Sequence, residues 1–155
     1  MDNAADFRRT VLVVDDEAVN REMLGTILGQ EYNVVQAADG TEAIAKIQSL
    51  RERVSLVLLD LLMPEVDGYA VLDSIRKDAE LTKIPVIVLT SEKSAEVKSL
   101  QKGAADFLTK PYDMPEVILA RVRRSIELAE DAHIIQSTEK DILTGLYTKE
   151  FFFEY

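Results

Sequence analysis

Three runs of apolar residues interrupt an otherwise mixed chain, and each stops at a polar group. Thr10–Val14, Val54–Asp60 and Ile84–Leu89 place aliphatic side chains, many of them β-branched, at successive positions. That pattern belongs to strands covered on both faces. Tyr32–Gln36 is a shorter run with polar neighbours, which predicts a strand at a sheet edge, and Ala105–Thr109 is a brief fifth strand. Pro85 is tolerated at a strand start. Between these runs the apolar spacing changes to that of helices. Val19, Met23, Ile27 and Leu28 predict the buried side of a helix over 17–29. Ala43, Ile44, Ile47 and Leu50 predict a second, Tyr69, Val71, Leu72 and Ile75 a third, and Ser94–Lys102 a weaker fourth. Strand and helix alternate five times, so the fold class is α/β: a doubly wound five-stranded parallel sheet, order 2-1-3-4-5, with right-handed crossovers.

The chain has 155 residues, enough for one domain and a little more, since single domains cluster near ~100–150 residues. It contains no cysteine, which excludes disulfides and thiolate metal sites. The amino terminus has no basic segment followed by an apolar core, and no apolar stretch approaches the ~18 residues of a membrane span. A cytoplasmic protein without a membrane partner is expected. The net charge of −10 argues against nucleic acid as a direct partner, because phosphate neutralisation needs clustered Lys and Arg.

The acidic excess has a second use. In a doubly wound sheet, ligands bind beyond the carboxyl ends of the strands. Those ends carry Asp15-Asp16, Asp60, Thr90 and Lys110. Carboxylates gathered there repel one another unless a cation neutralises them, and an oxygen-only ligand set suits Mg²⁺ or Mn²⁺. A carboxylate can also act as a nucleophile toward a phosphoryl group, with Lys110 and Thr90 stabilising charge on its oxygens. Plainer roles exist for each residue. Asp15 and Asp16 could cap the following helix, as could Thr90 and Ser91 for theirs, and Phe107 could simply pack.

Taken together, Val14-Asp15-Asp16, Asp60 with Met63-Pro64 and Asp67-Gly68, Thr90-Ser91, and Gly103-Ala104 before Lys110-Pro111 resemble the receiver domains of bacterial two-component response regulators. The resemblance covers 9–130 and implies a flavodoxin-like receiver fold. It also implies that Asp60 is the phosphoacceptor, loaded by a sensor histidine kinase or phosphotransfer protein. Asp16 would ligate Mg²⁺ directly, Asp15 through a water, and Leu62 through its backbone carbonyl. Thr90 and Phe107 would form a switch pair, and the Lys110–Pro111 peptide would be cis. A metal-dependent phosphatase of haloacid-dehalogenase type also uses an Asp nucleophile, but would carry a second Asp two residues later, where Leu62 stands. The lone histidine, His133, lies far from this site and is given no phosphotransfer role.

Beyond the receiver, a helix is predicted from Met114 to about Glu139. Ile118, Val122 and Ile126 suit packing on the sheet, while Leu128, Ala132 and Ile135 form a shifted stripe. Residues 131–140 thus read as a signalling extension able to pair with a second copy as a phosphorylation-dependent homodimer. Asp141-Ile-Leu-Thr-Gly-Leu146 resembles the opening of GGDEF-type diguanylate cyclase domains, although Thr148-Lys149-Glu150 replaces the usual Asn-Arg-Arg and the cyclase's catalytic motif is absent. The apolar run Phe151–Phe153 would be a costly exposed patch at a natural terminus, which suggests a chain cut just inside a second domain. Residues 141–155 are accordingly expected to start an output domain, after a disordered lead over 1–8. The competing expectation is a stand-alone receiver acting through protein binding.

Overall fold

Five parallel strands form one sheet in the order β2-β1-β3-β4-β5. They are β1 (Thr10–Val14), β2 (Asn33–Ala37), β3 (Val54–Asp60), β4 (Val86–Thr90) and β5 (Asp106–Thr109). The computed structural model describes residues 8–91, 98, 100–110 and 114–145, with side-chain surroundings through Ala132. Among the described residues four α-helices are delimited: α1 (Ala18–Leu28), α2 (Gly40–Leu50), α3 (Gly68–Lys77) and α4 (Pro115–Gly145).

The unbroken apolar runs become strands with a core on each side. Leu12 and Val14, Val57 and Leu59, and Val86 and Val88 face the cluster under α2 and α3. Their neighbours Val11 and Val13, Leu56 and Leu58, and Ile87 and Leu89 face the cluster under α1 and α4. Alternation along a strand sends successive side chains to opposite faces, so a sheet covered twice needs apolar residues at every position. The edge strand β2 is only partly buried until Ala37, as its polar neighbours predict. Pro85 stays just outside β4, where its carbonyl still accepts from the Val57 N–H at 3.0 Å.

Helix α1 departs in part from the predicted face: Leu28 is buried as predicted and Ile27 packs against the same core, but the Val19 and Met23 positions are turned out. Val19 and Met23 are 78% and 37% exposed, whereas Leu24 and Leu28 are fully buried. The first turn explains the rotation: the Asn20 amide donates to Asp15 Oδ2 and the Arg21 guanidinium to the Asp15 carbonyl. Residues 20 and 21 therefore face the sheet, and one and two turns later so do Leu24 and Leu28. Helix α2 begins at a reciprocal cap, in which Asp39 accepts from the Glu42 N–H and the Glu42 carboxylate accepts from the Ala38 N–H, both at 2.7 Å.

Helix α4 runs six residues further than the sequence pattern suggests, so Asp141–Gly145 are helical. Ile118, Val122 and Ile126 are buried as predicted, and Leu128 is 57% exposed. At about 1.5 Å per residue the helix is about 46 Å long. The Lys110–Pro111 peptide geometry, most of Ser94–Lys102, the His133 and Ile135 side chains, residues 1–7 and residues 146–155 lie outside the described portion.

Candidate functional site at the carboxyl ends of the strands

Strands β1 and β3 are adjacent and parallel, with Val14 paired to Leu59. The residues that follow each pair, Asp15 and Asp60, are thus brought side by side. Asp15 is fully buried and Asp60 is 3% exposed. With the exposed Asp16 they form a cluster in which one carboxylate oxygen from each lies within 4.8 Å of the others. Lys110 enters from the end of β5: its Nζ is 3.4 Å from Asp15 Oδ2 and 3.4 Å from Asp60 Oδ1. Thr90, buried, closes β4, and its carbonyl accepts the Lys110 N–H at 2.8 Å.

The loop after Asp60 is shaped by close backbone packing. The Leu62 N–H donates to Asp60 Oδ1 at 3.2 Å and the Gly68 N–H to the Leu61 carbonyl at 3.1 Å. A Cβ on Gly68 would lie 2.4 Å from the Asp60 carbonyl oxygen and 2.6 Å from Leu61 Cα. No side chain fits there. Asp67 caps α3 by accepting the Ala70 N–H at 3.0 Å. The Asp67-Gly68 pair thereby starts α3 as close to the Asp60 backbone as the chain allows. Glu65 takes the strain of the turn, with φ of +63°.

Electrostatics follow from the burial. Desolvation, then the facing Asp15 carboxylate, push the Asp60 carboxyl up to about 6, against the downward pull of Lys110 and the Leu62 N–H. A cluster of hard oxygen donors with one carboxyl held above its usual range fits a small divalent cation. Asp15, Asp16 and Asp60 would hold Mg²⁺ or Mn²⁺.

The structure brings together Asp15, Asp16, Asp60 and Lys110, with Thr90 at the adjoining strand end. Phe107 is half-buried and packs against the cluster under α2 and α3. The Leu62 side chain points to solvent at 58% exposure. Asn20 is a site residue that the sequence pattern did not single out. Its amide reaches Asp15 Oδ2 at 3.3 Å and Glu17 Oε1 at 2.8 Å, and its position one helical turn beyond the acid pair was the available signal. Asp15 Oδ1 also accepts the Glu17 N–H at 2.9 Å in the turn that precedes α1, but the cap position is Glu17 and no side chain caps the helix, so the plainer capping role expected of Asp15 and Asp16 is not the one they take.

A family model for the response regulator receiver domain matches residues 11–123. Among curated proteins, the "Probable transcriptional regulator ycf27" of Porphyridium aerugineum is 39% identical over 130 residues, 81% of this chain and 51% of that protein. The DNA-binding response regulator MtrA of Mycobacterium leprae is 34% identical over 141 residues, 88% and 60% respectively. This chain thus spans about half the length of the curated relatives it matches. Among solved structures, the chemotaxis response regulator CheY4 of Vibrio cholerae superposes with a TM-score of 0.69 at 34% identity, covering 76% of this chain and 98% of that one. With the 2-1-3-4-5 sheet, the acid cluster and a family match over most of its length, the chain belongs to the response regulator receiver domains.

Proposed function

We propose that this receiver accepts a phosphoryl group on Asp60 from a histidine kinase or phosphotransfer protein. The observation that carries the reading is the convergence of Asp60, Asp15, Asp16 and Lys110 at one strand edge. In the transfer, an Asp60 carboxylate oxygen attacks phosphorus, a P–O bond forms, and the P–N bond to the donor imidazole breaks with its electron pair returning to the ring. Burial and the facing Asp15 push the Asp60 carboxyl up only to about 6, so it is ionised at neutral pH and can serve as the nucleophile. Lys110 stands 3.4 Å from Asp60 Oδ1, placed to pair with a phosphoryl oxygen, and the Thr90 hydroxyl is the candidate donor to another. Mg²⁺ held by Asp15, Asp16 and Asp60 would supply positive charge against the negative charge of the phosphoryl oxygens. Phe107 is the candidate partner of Thr90 in the ensuing switch.

The output is a separate question. The names of the relatives, a transcriptional regulator and a DNA-binding response regulator, support an output that acts on DNA, despite the acidic net charge of this chain. A diguanylate cyclase output is supported by Asp141–Leu146 alone and by none of the comparisons. Cyclic-di-GMP formation from GTP by the protein carrying its output region, against sequence-specific DNA retention, separates the two.

For the receiver itself, acetyl phosphate with Mg²⁺ should add one acid-stable, base-labile phosphoryl group by intact-mass measurement. Asp60→Asn should abolish the gain. Equal modification of the substituted protein would overturn the assignment.

A further inference from the structure

Arg76, in the last turn of α3, is a cation whose hydrogen bonds among the described residues all go to backbone carbonyls. Nε donates to the Gly103 carbonyl at 3.0 Å, Nη1 to that of Thr82 at 2.8 Å, and Nη1 and Nη2 both to that of Ile84 at 3.2 Å. Burial lowers the guanidinium pKa from its ordinary value. Helix ends attract basic side chains through exposed carbonyls of the same helix, but these three carbonyls belong to other segments. Thr82 lies in the turn before β4, Ile84 leads into β4, and Gly103 precedes β5.

Gly103 and Arg76 also fit one another sterically. Gly103 has φ of +103°, and a Cβ there would lie 2.8 Å from Arg76 Nε and 3.0 Å from its Cδ. The guanidinium occupies the space that the missing side chain leaves, and holds the carbonyl of the same residue. Directly beyond this point the β4–β5 ladder opens, with the Ala105 N–H donating to the Val86 carbonyl at 2.8 Å. It continues through Ile87 with Asp106 to Thr90 with Thr109.

Parallel strands have no hairpin to set their register, because a long crossover joins them. Here β4 ends at Thr90 and β5 begins at Asp106, so register must be set by the ladder and by anything that grips both strand entries. We propose that Arg76 is that grip: a positioning residue that fixes the entry of β5 against β4 and so places Lys110, four residues on, beside Asp60 and Asp15. Arginine suits the task because five N–H groups on one rigid plane can serve carbonyls in different directions, whereas a lysine ammonium on its flexible stem is a point donor. The consequence for phosphorylation rests on the reading of Asp60 given above, while the consequence for strand register does not.

The test compares wild type with Arg76→Met, Arg76→Lys and Gly103→Ala, taking Arg51→Met as a control that breaks surface ion pairs to Asp78 and Glu80. All are measured well below their melting temperatures. The first readout is hydrogen exchange at the Ala105 and Lys110 amides, both donors to β4 carbonyls. The second is the rate of phosphorylation at saturating acetyl phosphate with Mg²⁺. The three variants at 76 and 103 should lose protection at both amides by about tenfold and slow by about tenfold, while Arg51→Met matches wild type in both. Wild-type protection and rate in folded Arg76→Met would reduce Arg76 to a packing residue and overturn the proposal. Should Arg76→Met fail to fold, Arg76→Lys and Gly103→Ala decide by the same criteria. If wild type itself were not phosphorylated, the function of Asp60 would fall, and amide protection alone would still test the grip.

Discussion

Asp60 sits where ionisation costs the fold. Its carboxyl titrates at about 6 against an ordinary value of 3.8, because burial and Asp15 disfavour the charged form more than Lys110 favours it. Between about pH 4 and pH 6 the folded state therefore binds more protons than the unfolded state, so stability falls as pH rises through that window. Above it the deficit is complete, and a shift of about two units corresponds to about 3 kcal/mol. Asn keeps the shape and removes the charge. In metal-free buffer at pH 7.5, Asp60→Asn should thus be more stable than wild type by about 1–3 kcal/mol in urea unfolding. The gap should close toward pH 4, and added Mg²⁺ should narrow it by stabilising wild type, with all three carboxylates, more than the variant with two. A less stable Asp60→Asn at pH 7.5 would show that repulsion at the acid cluster does not set this balance. The site thus carries an electrostatic cost at Asp60 that a bound cation would relieve.

At the level of elements, α1 shows what an apolar pattern decides and what it leaves open. Two stripes run along that helix, Val19-Met23-Ile27 and Leu24-Leu28, and both have helical spacing. The structure buries the second, since Asn20 and Arg21 turn inward to Asp15. Leu24→Ala should accordingly cost about 2–5 kcal/mol, while Val19→Ala should change stability by no more than about 0.5 kcal/mol; denaturant unfolding of both variants checks the order. The strands were legible because burial on both faces leaves apolar runs such as Val54–Leu59 that no solvent-facing element tolerates. The acid site was legible because strand order brings Asp15, Asp60 and Lys110 to one edge once the sheet is assigned. Rotation of α1 was not, because it depends on polar contacts made across the fold. Nor was Arg76, since an arginine in the last turn of a helix reads as a solvated cation near the negative end of the dipole, and its carbonyl partners come from segments that meet only in the folded chain. The last six residues of α4 differ from these cases: nothing between Glu139 and Gly145 breaks a helix, so that extension was open to a sequence reading.

Across the whole molecule, a chain of contacts joins Asp60 to α4, and it is the route a change of charge at Asp60 would take. Lys110 touches Asp60 at one end of β5. Arg121 of α4 holds the other, donating to Asp106 Oδ1 at 3.0 Å and to the Phe107 carbonyl at 3.2 Å. Strand β5 is also the edge of the sheet, so small movements there meet little resistance from a further strand. Beside it, Val117, Ala120, Arg124 and Leu128 line a shallow groove between β5 and α4. Leu128, at 57% exposure, is a large apolar side chain with no cover in one copy, and a second copy of α4 set against it would provide that cover. A phosphoryl group drawing Lys110 and Thr90 inward would shift β5, and Arg121 would carry the shift to this face. Beryllofluoride with Mg²⁺, standing in for the phosphoryl group, should therefore tighten self-association by about tenfold, equivalent to about 1.4 kcal/mol. Thr90→Ala should weaken that response, and Leu128→Lys should abolish association, in each case with Asp60 still open to modification. Sedimentation velocity across tens of micromolar protein reads all three. An unchanged wild-type profile on adding the mimic would sink the dimer route and leave the signal to pass along α4 within a single chain.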